Sequence, residues 1–99
     1  MNTELLNKKV IARIDRAGVF HGTLDHIDND ILRLKDARRI YYWEGALSVT
    51  DMASMGLTGG KISAPVSTVE FMREKIVELN ECSDEASKSI EAIRVWKQR

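Results

Sequence analysis

Apolar and polar residues alternate with a period of two over Lys8 to Ile14. Val10, Ala12 and Ile14 fall on one side of an extended segment and Lys9, Ile11 and Arg13 on the other, the pattern of a half-buried strand. Asp15-Arg16-Ala17-Gly18 follows as a turn, where Gly18 supplies the positive φ that a short hairpin connection demands. Val19 to Ile27 resumes β-type residues, with Phe20, Gly22 and Leu24 on a shared face, and Asp28-Asn29-Asp30 makes the next polar turn. Ile31 to Lys35 then reads as a third strand with Leu32 and Leu34 directed together. This part of the chain is therefore predicted to be a β-meander.

Asp36 to Trp43 stays strand-like. Ser48-x-x-Asp51 has the form of a capping box, and Val49, Met52, Ala53 and Met55 predict a short helix closed by Gly56. Leu57-Thr58-Gly59-Gly60 is a flexible connection, and Pro65, which cannot donate to a ladder, restricts any strand over Lys61 to Ala64 to an edge. Val69 to Met72 and Lys75 to Asn80 give two more strands. Ser83 opens a second helix with Asp84 and Glu85 in its first turn, and Ala86, Ile90, Ile93 and then Trp96 give it an apolar stripe for the sheet or a neighbouring subunit. The expected architecture is one α+β domain over residues 1–99: a strongly bent five-stranded antiparallel sheet of SH3-like or Sm-like barrel type, a short inserted helix and a C-terminal helix.

Composition narrows the functional classes. A chain of 99 residues with 43% apolar side chains builds one core, so a large ligand cavity is expected to be shared between subunits of a homo-oligomer. Fifteen Lys and Arg balance fifteen Asp and Glu, which removes the positive field that general DNA binding requires. The single Cys82 has no internal disulfide partner, no apolar run reaches the roughly 18 residues of a membrane span, and Met1-Asn2-Thr3-Glu4 lacks the basic start of a signal peptide. A cytoplasmic setting without membrane contact is expected.

The stretch from Phe20 to Leu32 resembles the first signature of Sm-like proteins, matching it at Gly22, Leu24 and Asp28. The physical sense is that glycine permits sharp strand curvature while the aspartate ties the following turn through backbone amides. The resemblance implies a small barrel and an RNA-binding ring, although Leu32 stands where Sm-like proteins carry an RNA-contacting asparagine and a second signature is lacking. Ala12 to Leu24, Leu34 to Ser48 and the terminal Val95-Trp96-Lys97 are similar to a family of small bacteriophage-encoded proteins of unassigned function. That likeness implies a phage protein working in the host bacterial cytoplasm and specifies no activity.

Asp36-Ala37-Arg38-Arg39-Ile40-Tyr41-Tyr42-Trp43 is the densest chemical cluster. On a regular strand Arg39, Tyr41 and Trp43 share one face and Arg38, Ile40 and Tyr42 the other, so each face pairs a guanidinium with an aromatic ring. Guanidinium forks grip phosphate oxygens and aromatic faces stack on bases, so the pairing suits a nucleotide. Arg38, Arg39, Tyr41, Tyr42 and Trp43 are the expected ligand-binding residues, with Arg16 and Lys35 as candidate secondary phosphate contacts. The competing explanation makes the rings core or interface residues and pairs the arginines with Asp36 and Glu44.

Other chemistry is thin. His21 and His26 lack a metal-binding spacing, Asp25, Asp28 and Asp30 lack the glycine and distal glutamate of a calcium loop, and Gly59-Gly60-Lys61 lacks the spacing of a phosphate loop. Cys82 precedes a helix start, which favours a thiolate, but it has no assignable His partner, so a small buried or inert thiol is expected over a nucleophile. No metal, cofactor or catalysis is expected. The favoured expectation is a phage protein that sequesters a small anionic nucleotide signal of bacterial antiviral defence; the alternatives are an Sm-like RNA-binding oligomer and a protein-interaction or virion accessory module.

Overall fold

The computed structural model describes residues 4–97. Met1-Asn2-Thr3, read above for a leader, lies outside the described residues. The predicted meander is β1 (Lys9–Ile14), β2 (Gly18–Ile27) and β3 (Ile31–Glu44), followed by α1 (Val49–Met55), β4 (Gly59–Ile62), β5 (Val66–Met72), a 3-10 turn at Arg73–Lys75, β6 (Ile76–Glu81) and α2 (Asp84–Glu91). All ladders are antiparallel. Their order is β6-β1-β2-β3, and the long β3 carries β5 along its first half and β4 along its second. Among the described residues no ladder joins β5 to β6, so the six-stranded sheet is not closed. The strand beyond the expected five is β4, the short piece before Pro65.

The meander bends where its register slips. A Cβ on Gly22 would lie 3.0 Å from the Lys35 carbonyl oxygen and 3.1 Å from Ala37 Cα, so glycine lets β3 cross closer than a side chain here would ordinarily allow. Facing it, the register shifts between His21 and Thr23, and Asp36 takes up the extra residue with φ 52°. The bulge reverses the alternation of β3. Leu34 and Ala37, three positions apart, therefore enter the same core. A second shift lies between Ile40 and Tyr42, and it returns Trp43 to the side of Ile40. The regular alternation that grouped Trp43 with Arg39 and Tyr41 is corrected by this bulge.

Both sides of the sheet are buried. Val10, Ala12, Ile14, Phe20, Leu24, Leu32 and Leu34 fill the inside of the bend. Ile11, Val19, Ile40 and Ile62 face the other way, against Met52 of α1 and Ala86 and Ile90 of α2. The predicted caps form: Ser48 Oγ accepts from the Asp51 amide at 3.2 Å, Ser83 Oγ accepts from the Ala86 amide at 3.0 Å, and Gly56 ends α1 with φ 82°. The C-terminal helix is shorter than its apolar spacing implied. It ends at Glu91; Ile93 still packs on the helix-side core, but Val95 runs as an extended bridge beside Ile62 and the Trp96 amide donates to the Ile62 carbonyl at 2.9 Å. Trp96 therefore belongs to the sheet edge beside β4 and not to a helical stripe. No helix of the described residues is long and apolar enough to cross a membrane.

Candidate functional site

Of the two arginines at the centre of the sequence cluster, Arg38 points to the helix side. Its guanidinium is buried and donates from Nε to the Ser63 carbonyl at 2.7 Å, from Nη1 to Ile90 at 3.0 Å and Glu91 at 3.4 Å, and from Nη2 to Ile93 at 2.9 Å. Three of these acceptors belong to the end of α2 and the residues after it, where carbonyls lose their helical partners and a cation meets the negative end of the macrodipole. Arg38 thus fastens the C-terminal segment to β3 and β4 through carbonyl groups, without Asp36 or Glu44. Its pKa is lowered by burial, which the Glu91 charge partly offsets.

Arg39 leaves by the opposite face. It sits across the strand pair from Phe20, and its guanidinium carbon lies 4.8 Å over the Phe20 ring. Phe20 in turn packs on Phe71 with ring centroids 4.7 Å apart, so the surface under the cation is held by the core. Beside it opens a cleft of about 210 Å³ lined by Phe20, Arg39, Tyr41, Ser63, Val66 and Val69. Phe20 belongs to the core inside the bend and also lines this cleft.

Tyr41, about half exposed, meets Trp96 at a centroid distance of 5.9 Å and an interplanar angle of 60°. Lys61 of β4 places its Nζ 5.4 Å over the other ring of this pair, that of Trp96. Arg39, Tyr41, Lys61 and Trp96 form one exposed cationic and aromatic surface across β3, β4 and the terminal segment. Trp96 and Lys61 escaped the sequence reading. The signal available was the Val95-Trp96-Lys97 motif, whose position depends on the bridge to Ile62, a contact between residues far apart in the chain.

The remaining predicted residues lie apart from this surface or are otherwise engaged. Tyr42 donates its hydroxyl to Glu44 at 3.2 Å, and that carboxylate raises the phenol pKa. Trp43 packs with the helix-side core and donates Nε1 to the Ala46 carbonyl at 3.2 Å. Lys35 pairs with Asp25 at 3.6 Å. Arg16 occupies the β1–β2 turn with φ 65° and borders a different concavity, formed with Arg13 and Val77.

Three titratable groups have structural roles. Asp28 accepts from the Asp30 and Ile31 amides at 2.7 and 2.9 Å, as the turn role predicts. A further bond to His26 is the largest cause that holds the Asp28 carboxyl at about 2. His21 is buried against Ser87 Oγ at 3.1 Å, and burial lowers its pKa from 6.5 to about 4. The Cys82 thiol is buried, which pushes its pKa up, in keeping with the small buried thiol that the sequence favours over a nucleophile. Among the described residues no group of three or more His, Cys, Asp or Glu side chains has the arrangement to hold a metal ion.

A family model described as a domain of unknown function (DUF6948) matches residues 7–90, and the chain belongs to that family. No curated protein and no solved structure matches it.

Proposed function

We propose that this member of the DUF6948 family captures a small anionic nucleotide, without turning it over, on the exposed surface that Arg39, Tyr41, Lys61 and Trp96 form across β3, β4 and the terminal segment. The observation that carries the reading is Arg39: an exposed guanidinium seated 4.8 Å over Phe20, at the wall of a cleft that Tyr41 shares. A cation held above a core aromatic costs little entropy to present, and its outward edge keeps the fork that phosphate oxygens accept. Tyr41 and Trp96 supply the flat rings on which a base stacks. Neutral overall charge suits an enclosed ligand with few phosphates better than a long polyanion.

The resemblance to small phage proteins supports a setting in the host cytoplasm, where capture would sequester a signal of antiviral defence. The order β6-β1-β2-β3-β5, with a single 3-10 turn between β5 and β6, supports an SH3-like reading of the open sheet. Self-association is part of the proposal, because Val66, Met72 and Val77 on the two unjoined strands are each more than half exposed.

A thermal-shift screen against mononucleotides, cyclic dinucleotides, ADP-ribose and short RNAs tests the function, since a ligand that binds the native state raises the melting temperature. A shift that disappears in Arg39→Ala supports capture at this face; the absence of any shift across the panel overturns it. A protein partner is the second reading, favoured by the half-exposed Tyr41, Tyr42 and Val66.

A further inference from the structure

The Tyr41 and Trp96 ring pair stands as a wall between two clefts. The cleft of about 210 Å³ lies on the Tyr41 side with Arg39 at its rim. A second cleft, of about 580 Å³, lies on the Trp96 side and is lined by Gly60, Arg94, Val95, Trp96 and Lys97. The two share no lining residue, yet their aromatic boundaries touch at 5.9 Å.

Resting on the capture reading above, we infer that the ligand spans both clefts and is a dinucleotide, one nucleotide on either side of the Tyr41 and Trp96 wall. Size is the first reason. Ligand pockets usually measure roughly 300 to 1,000 Å³, so the Arg39 cleft is too small to enclose a whole ligand; it takes the base or the phosphate of the nucleotide on its side, and the other nucleotide seats across the wall. Charge is the second. Arg39, Lys61, Arg94 and Lys97 are all exposed, and none makes an ion pair among the described residues. Arg39 serves the first cleft, Arg94 and Lys97 serve the second, and Lys61 sits over the ring between them.

Spacing is the third reason. The terminal segment is the second strand position beyond β3, through Ile40 paired with Ile62 and Ile62 bridged to Val95. Two interstrand steps amount to roughly 10 Å, with two aromatic rings standing in between. Two linked nucleotides offer that separation of anionic groups together with two bases to stack on the two rings. Gly60 lines the second cleft without a side chain to fill it, and a Cβ there would meet the Tyr42 carbonyl oxygen at 2.3 Å, so β4 passes close against β3 at this point.

The test is calorimetric titration of the full chain with adenosine monophosphate, linear 5′-phosphorylated diadenylate, cyclic diadenylate and the linear tetranucleotide. The inference expects at least one of the dinucleotides to bind at least about tenfold more tightly than the monophosphate, with no further gain for the tetranucleotide. In the Arg94→Ala, Lys97→Ala double variant, whose altered side chains are exposed, dinucleotide affinity should fall to the monophosphate level while monophosphate affinity holds. Equal affinity for one and two nucleotides, or a double variant that binds dinucleotide normally, overturns the two-cleft inference and leaves capture at Arg39 standing. Affinity that keeps rising to the tetranucleotide overturns it in favour of strand binding. Failure of all four probes in the wild-type chain counts against the capture reading itself, and the dinucleotide inference falls with it.

Discussion

Arg38 and Arg39 are successive residues of β3, and their guanidinium groups work on opposite faces of the sheet. The first donates to the carbonyls of Ser63, Ile90, Glu91 and Ile93, and the second lies 4.8 Å over Phe20 beside an open cleft. The two are linked in effect. Arg38 anchors the segment that carries Trp96, and Trp96 reaches back over β4 to Tyr41, two residues beyond Arg39. One arginine holds the frame and its neighbour faces the open cleft.

Replacing Arg38 by Met tests the first role. The side chain keeps comparable length, but the part-buried Ser63 and Ile93 carbonyls lose the Arg38 donor, and the buried Ile90 carbonyl keeps only its backbone donors. Relief of the buried charge offsets part of that loss, and the net destabilisation expected is about 2 to 4 kcal/mol. In thermal denaturation followed by circular dichroism, the midpoint should drop by roughly 10 °C or more for a domain of this size. Arg38→Lys should restore little, because an ammonium group has no planar fork to span these acceptors.

Arg39→Ala should leave stability nearly intact. Its contact with Phe20 is at the surface, where such a pair contributes about 0.5 to 1 kcal/mol. Urea unfolding of this variant is expected within about 1 kcal/mol of the wild type, with an unchanged slope. A loss of several kcal/mol would mean that Arg39, like its neighbour, is part of the frame.

Much of the fold was legible in the sequence because local rules decide it. The cap at Ser48, the stop at Gly56 and the Asp28 turn each depend on residues within a few positions of one another, and each stands as read, while the alternation of Val10, Ala12 and Ile14 marks the strand correctly but not its half-buried character, because Ile11 on the other face is covered by the helices. What failed to show was nonlocal. The bulges at Asp36 and Tyr41 arise from how β3 registers with β2 and with β4, and a shift of one residue moved Trp43 to the other face. Arg38 looked like half of a phosphate grip because its four acceptors are backbone carbonyls, which any sequence supplies. Trp96 followed helical spacing from Ile93, yet the helix ends at Glu91 and the tail becomes a strand-like edge.

Gly22→Ala probes the bend where β3 crosses close to β2. The added methyl would lie 3.0 Å from the Lys35 carbonyl oxygen, 3.1 Å from Ala37 Cα and 3.2 Å from Ala37 Cβ, and backbone atoms yield poorly. Relief requires β3 to move away from β2 at the Asp36 bulge. The expected cost is about 1 to 3 kcal/mol in chemical denaturation. A neutral result would show that the crossing has slack and that Gly22 does not set the bend.

The pH dependence of stability follows from His21. Burial lowers its pKa in the folded chain from 6.5 to about 4, and Lys9 and Arg38 push the same way while Glu91 opposes them. Between these two values the unfolded chain holds a proton that the folded chain lacks, so stability falls as the pH is lowered through the window from about 6.5 to about 4 and is unaffected by this group above it. The full drop is on the order of 3 kcal/mol. Asp28, whose carboxyl is held at about 2 chiefly by His26, loses its contribution only as the pH falls from about 3.8 through about 2, so it leaves the histidine window nearly clear. Urea midpoints at pH 7.5 and pH 4.5 should differ clearly in the wild type and much less in His21→Gln, whose neutral amide keeps a hydrogen-bonding atom for Ser87. An equal pH response in both would place the titration on another group and leave His21 as a packing residue.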